Sequence, residues 1–128
     1  MIIESEVETL HEILIKKFGG SSGIRDKESL QSALNRPFQT FNQKELHASV
    51  INKAAALMES ILANHPFVDG NKRTGYLAMR LYLIKNGYDI VATLNDKYEF
   101  VMNIAVGISK FNVILDWLNR NTKILNLP

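Results

Sequence analysis

An imidazole, a carboxylate, an amide, two cations and two glycines fall within eleven consecutive residues, His65-Pro66-Phe67-Val68-Asp69-Gly70-Asn71-Lys72-Arg73-Thr74-Gly75. Free histidine titrates near ~6.5, so His65 is of the residue type that can accept a proton from an attacking hydroxyl at neutral pH. Asp69, four residues on, suits Mg²⁺, which is commonly held by one carboxylate together with phosphate oxygens and water. Gly70, Asn71, Lys72 and Arg73 stand where a helix should begin. There, free backbone N–H groups and the helix dipole attract phosphate, and a guanidinium fork and a lysine charge add to that attraction.

Each residue also has a plainer reading. A histidine can cap a helix end, an aspartate can be an N-cap, and a Lys-Arg pair usually lies on a solvated face. Two cations at the positive end of a helix are unfavourable unless an anion compensates them, which favours a phosphate-binding catalytic loop. Zinc is not expected, because cysteine is absent, no HExxH pattern occurs, and His65 with Asp69 falls short of three protein ligands. His11 and His47 are assigned no metal, and either can be plain surface. Gly70 to Gly75 fits GxxxxG, but Tyr76-Leu77 follows where a P-loop needs lysine and a hydroxyl residue, so this is no Walker motif.

The elements that position the loop are helical. Pro66 disfavours helix at His65, and Gly70 permits a turn that other residues resist. Upstream, Leu46 to Leu62 reads as a long helix with Val50, Ala54, Leu57, Met58 and Ile61 on its core face. Downstream, Leu77, Leu81 and Ile84 form a stripe, and Ala78, Met79, Tyr82 and Leu83 make that helix apolar almost all round, as a buried central helix would be. Asn86-Gly87 ends it. Earlier, Val7, Leu10, Leu14 and Phe18 recur at helical spacing until Gly19-Gly20-Ser21-Ser22-Gly23. Asp26 is placed to cap a short helix that Pro37 closes. Phe38 to Lys44 is β-prone and short, and is expected to be an extended flap. Thr93 with Asp96 resembles a capping box for a helix running to about Val106. Gly107 breaks it, and Ser109 is a candidate cap for a last helix carrying Val113, Ile114, Trp117 and Leu118. The expectation is an all-α bundle of about six helices forming a single domain over residues 1–128.

Composition narrows the function classes. With 15 basic and 13 acidic residues the net charge is +2, too small an excess to argue for direct nucleic-acid binding. The acidic, amphipathic start is not a signal peptide, and the most apolar window, Tyr76 to Ile84, is far short of the ~20 residues a membrane span needs. A cytoplasmic protein is expected.

The eleven-residue stretch resembles the Fic motif, HxFx(D/E)GN(G/K)R, of the Fic/Doc (Fido) superfamily. Phe18-Gly19-Gly20, Gly23-Ile24-Arg25-Asp26, Leu30, Ser32-Ala33-Leu34 and Arg36-Pro37 resemble its "death on curing" (Doc) branch. The resemblance implies a small helical Fido fold whose chemistry transfers part of a nucleotide to a protein hydroxyl. By position, His65 would be the general base and Asp69 the Mg²⁺ ligand, and Gly70, Asn71, Lys72 and Arg73 would hold the phosphates of ATP. The Phe38–Lys44 flap would dock the target by strand addition.

AMP-transferring members typically have glycine where Lys72 stands and a second arginine where Tyr76 stands. In Doc-type proteins the lysine is implied to reverse the nucleotide and present its γ-phosphate. The resemblance therefore implies a kinase-like toxin of a type II toxin–antitoxin pair, aimed at translation elongation factor Tu. Gly70 keeps the general Fic residue where Doc has alanine, which leaves AMP transfer as the alternative and an inactive binding module as a third reading. Arg80, one turn beyond Tyr76, could replace some of the missing charge. No (S/T)xxxE(G/N) inhibitory string occurs, so a separate Phd-like antitoxin, folding on binding, is the expected partner.

Overall fold

The computed structural model describes residues 1–104 and 110–125. Among them are six α-helices: α1 (Glu4–Phe18), α2 (Lys27–Asn35), α3 (Val50–Asn64), α4 (Asn71–Lys85), α5 (Leu94–Asn103) and α6 (Lys110–Asn121). The all-α expectation holds. No described helix is long and apolar enough to cross a membrane.

Short polar side chains start three of these helices. Asp26 accepts from Ser29 N, Ser49 from Asn52 N and Thr93 from Asp96 N, each satisfying an amide that the first turn leaves without a partner. The Ser49 cap corrects the expected start at Leu46: α3 begins at Val50, and Leu46 is an exposed residue of the preceding turn. The fifth helix ends at Asn103 rather than near Val106. Val106, Gly107 and Ser109 lie outside the described residues.

The centre of the bundle is the antiparallel pair α3 and α4, which pack against each other more extensively than any other two elements. Ala54, Ala55, Met58 and Ile61 of α3 and Ala78, Met79 and Leu83 of α4 are all buried in one core cluster. The stripe Leu77, Leu81, Ile84 is only half-buried to exposed, so the face that packs is the one through Ala78, Met79, Tyr82 and Leu83.

The flap is a hairpin rather than a simple extended stretch. Strands β1 (Thr40–Phe41) and β2 (Lys44–Glu45) pair antiparallel, and Asn42 and Gln43 turn between them at φ +52° and +64°, as a tight two-residue hairpin loop requires. Phe38 is not part of the exposed tip. It ends a single 3₁₀ turn (Arg36–Phe38) and packs edge-on against Tyr82. A second strand pair was not anticipated: β3 (Tyr88–Ile90) joins β4 (Thr122–Ile124), tying the end of α4 to the end of α6.

Candidate active site

The eleven-residue stretch becomes the connection between α3 and α4, and its shape follows from its sequence. His65 terminates α3 in the left-handed conformation, φ +46° and ψ 56°, and Pro66 carries the chain out of the helix. Phe67 is 1% exposed and anchors the loop in the core. Gly70 precedes α4 at φ +74°, a backbone state that glycine adopts without cost. Asn71 then closes the loop on itself: its Oδ1 accepts from Phe67 N at 3.0 Å, and its Nδ2 donates to Phe67 O at 2.9 Å.

His65, Asp69, Gly70, Asn71, Lys72 and Arg73 are brought together around one cleft of about 320 Å³, which Val68 and Met102 complete. The grouping expected from the sequence is therefore present, with Asn71 as the one change of role. Its amide is spent on the loop backbone, so Asn71 fixes the turn with its side chain and can offer phosphate only its main-chain N–H. No side chain caps α4, which leaves the N–H groups of its first turn, at residues that line the cleft, without a side-chain partner. Lys72 reaches the carbonyl of Met102 only at 3.5 Å, and the Arg73 guanidinium lies over the ring of Phe18, 4.5 Å from its centre.

Phe18 was expected to belong to the core stripe of α1. It is 53% exposed, because α1 ends there, and it serves as the platform for Arg73 instead. Arg80 is corrected as well. Its guanidinium pairs with Asp89 at 3.0 and 3.3 Å, so it holds β3 rather than supplying charge to the cleft. Tyr76 is buried against Phe100, and burial pushes its phenol up to about 12, so it brings no charge to the site.

His11, for which the sequence allows a plain surface position, is instead buried against the loop. It is 1% exposed, its ring stacks on Phe67 with centres 4.0 Å apart, and its Nε2 lies 2.7 Å from the carbonyl oxygen of Asp69. Its position between Val7 and Leu14 on the buried face was the available signal. His47 is half-buried beside Phe111, and burial, then Arg36 and Lys53, hold its pKa below the usual histidine value.

The segment after α1 also grips the loop. Arg25 donates through Nε to His65 O at 2.6 Å and through a terminal nitrogen to Asn64 O at 2.7 Å. The amides of Arg25 and Asp26 both donate to Pro66 O, and Val68 N donates to Gly23 O. Asp69 Oδ2 accepts from Ser21 N at 3.2 Å and Oδ1 from Gly70 N at 2.8 Å.

Comparison with known proteins agrees with this architecture. Residues 2–83 match the sequence model of the Fic/DOC family. The chain belongs to that family. It is 39% identical over 87 residues to a protein named Toxin Doc from Mycolicibacterium smegmatis (strain ATCC 700084 / mc(2)155), covering 67% of each chain. It is 24% identical over 119 residues to the protein named Protein kinase doc of Escherichia phage P1, covering 93% of each.

The residues of this Fic/DOC chain fit a Mg²⁺-bound nucleotide on chemical grounds. Among the described residues no group of three or more histidine, cysteine or acidic side chains could enclose a metal. A cation at Asp69 would therefore need phosphate oxygens and water for the rest of its coordination, the usual arrangement for Mg²⁺. A carboxylate has about four lone-pair sites, and the two N–H bonds to Asp69 leave room for one.

Proposed function

We propose that this chain is a Doc-like toxin, a Fido-type enzyme that transfers the γ-phosphate of ATP to a hydroxyl of a translation protein. The observation that supports this best is the sharing of one cleft by His65, Asp69 and the first turn of α4, with Lys72 and Arg73 the cations that line it among the described residues. The bond formed is from the target's oxygen to the γ-phosphorus. The bond broken is the γ-phosphorus to bridging-oxygen bond, with ADP leaving. His65 takes the proton of the attacking hydroxyl. The α4 N–H groups, Lys72 and Arg73 bind and orient the phosphates. Mg²⁺, held at Asp69, would neutralise phosphate charge.

The family resemblance suggests elongation factor Tu as the target and a Phd-like antitoxin as the inhibitor. The exposed β1–β2 hairpin, with Phe41 beside its turn, offers strand edges that no other described strand pairs and on which a target segment could add. Glycine at position 70 also suits the backbone, at φ +74°, so its identity alone does not select AMP transfer.

The test runs purified protein with Mg²⁺ and a bacterial lysate in two tubes, one with ATP labelled at the γ-phosphate and one labelled at the α-phosphate. A γ-labelled band near the size of an elongation factor, absent with His65→Ala, is the expected result. An α-labelled band would overturn phosphate transfer in favour of AMP transfer. No band with either label, together with no rise in melting temperature on adding ATP and Mg²⁺, would reduce the chain to a binding module.

A further inference from the structure

Asp69 is held from directions that the catalytic reading does not require. A carbonyl oxygen only accepts, so the 2.7 Å contact with Asp69 O makes His11 Nε2 the N–H-bearing nitrogen. The imidazole is fixed for that task by burial and by its nearly parallel stack on Phe67, at an interplanar angle of 11°. On the other side, the chain at Gly20 and Ser21 presses on the carboxylate. Ser21 N donates to Oδ2, and a Cβ built on Gly20 would lie 2.6 Å from that same oxygen. Gly20 also has φ +115°, so a side chain there is strained by the backbone and has room only if the Asp69 carboxylate moves. Asp69 is thus located at its carbonyl by α1, and at its carboxylate by the loop that follows α1.

We infer that His11 is a positioning residue for Asp69, and that Gly20 shares this task from the opposite side. The inference rests on the reading of Asp69 as the carboxylate that meets the cation of a metal–nucleotide complex. His11 touches neither nucleotide nor target. It sets the rotation of the Asp69–Gly70 peptide, and with it the direction in which the carboxylate leaves the loop. Such outer partners of a ligand typically change metal affinity by about 10–100-fold when removed. The phosphate cradle of α4 is built from different atoms, so binding of nucleotide without metal should be spared.

The experiment is calorimetric titration of the full chain with ATP, once with Mg²⁺ and once with EDTA, on wild type and four variants. His11→Phe keeps a flat ring against Phe67 but has no N–H. His11→Gln lacks the stack but can supply an amide N–H near the same place. The expected result is that His11→Phe lowers the Mg²⁺-dependent gain in affinity about tenfold, leaves affinity in EDTA within twofold, and is rescued by His11→Gln. Gly20→Ala, whose side chain would displace the Asp69 carboxylate without touching His11, should show the same selective loss. It also serves as the deciding variant if His11→Phe does not fold. A folded His11→Phe with the full Mg²⁺ gain, or a His11→Gln as weak as His11→Phe, overturns the role of the N–H. Gly20→Ala with an undiminished gain overturns its share. Asp69→Asn separates the two levels: if it keeps the full Mg²⁺ gain, the reading of Asp69 has failed, and the positioning role falls with it.

Discussion

The loop between α3 and α4 has two sides that the rest of the molecule treats differently. On the side facing α1 and the segment after it, the chain bonds the carbonyls of Asn64, His65, Pro66 and Asp69, the amide of Val68 and the carboxylate of Asp69. On the side formed by the first turn of α4, no side chain caps the helix, Lys72 makes one long contact, and Arg73 rests on an exposed ring. The first side fixes directions. The second leaves cations on contacts worth little, from which a phosphate can draw them. Damage to the closed side should therefore lower turnover, or the gain in affinity that Mg²⁺ brings, while sparing nucleotide binding without metal, and damage to the open side should weaken that metal-free binding directly.

The largest effect expected is at the point where both sides meet. His65→Ala should lower transfer by at least about 10²–10⁴-fold, the scale of general-base catalysis. His65 is exposed and its ring supports no core packing, so the melting temperature should stay within about 2 °C. A folded variant that still transfers phosphate would remove His65 from the role of base. Next comes Arg25, which bridges two carbonyls at the end of α3. Arg25→Ala should lower kcat about tenfold with the ATP dissociation constant unchanged. Arg25→Lys should recover little, because one ammonium cannot reproduce the guanidinium fork. Steady-state kinetics with separate ATP titration would check this, and a rise in dissociation constant equal to the fall in kcat would break the proposed division. On the open side, Lys72→Ala should weaken ATP binding roughly fivefold and make it less sensitive to salt. Unchanged salt dependence would mean that Lys72 does not meet phosphate.

The same division explains what could be read from the sequence. The open side is a matter of residue type and order, and Gly70-Asn71-Lys72-Arg73 announces a helix start with cations. The three side-chain caps at Asp26, Ser49 and Thr93 were of the same local kind, although the apolar Leu46 obscured the one at Ser49. The closed side was not legible in this way. His11 and Arg25 act on backbone carbonyls 58 and 40 positions away, and a carbonyl has no residue type to recognise. Asn71 deceived for a related reason: its amide suits a phosphate, but the nearest partners after folding are the N–H and C=O of Phe67. The β3–β4 pair escaped because two three-residue segments gain their hydrogen bonds only once α4 and α6 have brought them side by side.

The smallest effect tests whether scaffold and site are separable at all. The Arg80 guanidinium beside Asp89 holds that carboxyl below its ordinary value of 3.8. A folded pKa depressed in this way contributes stability above the unfolded value and loses it as pH falls through the folded one. The wild type should therefore keep this increment at pH 7 and surrender it below about pH 4. Asp89→Asn, lacking the titration, should melt lower at pH 7 and converge with wild type in acid. Both groups are partly exposed, so the increment is at most about 1 kcal/mol, or roughly 3–5 °C in melting temperature. Thermal melts of the two proteins from pH 7 to 3 would measure it. Arg80 stands two helical turns beyond the phosphate cradle and binds β3, not the loop, so phosphate transfer at pH 7 should be unchanged in Asp89→Asn. A loss of transfer larger than the loss of stability explains would mean that the β3 anchor reaches the cleft through α4, and the open side would then be held after all.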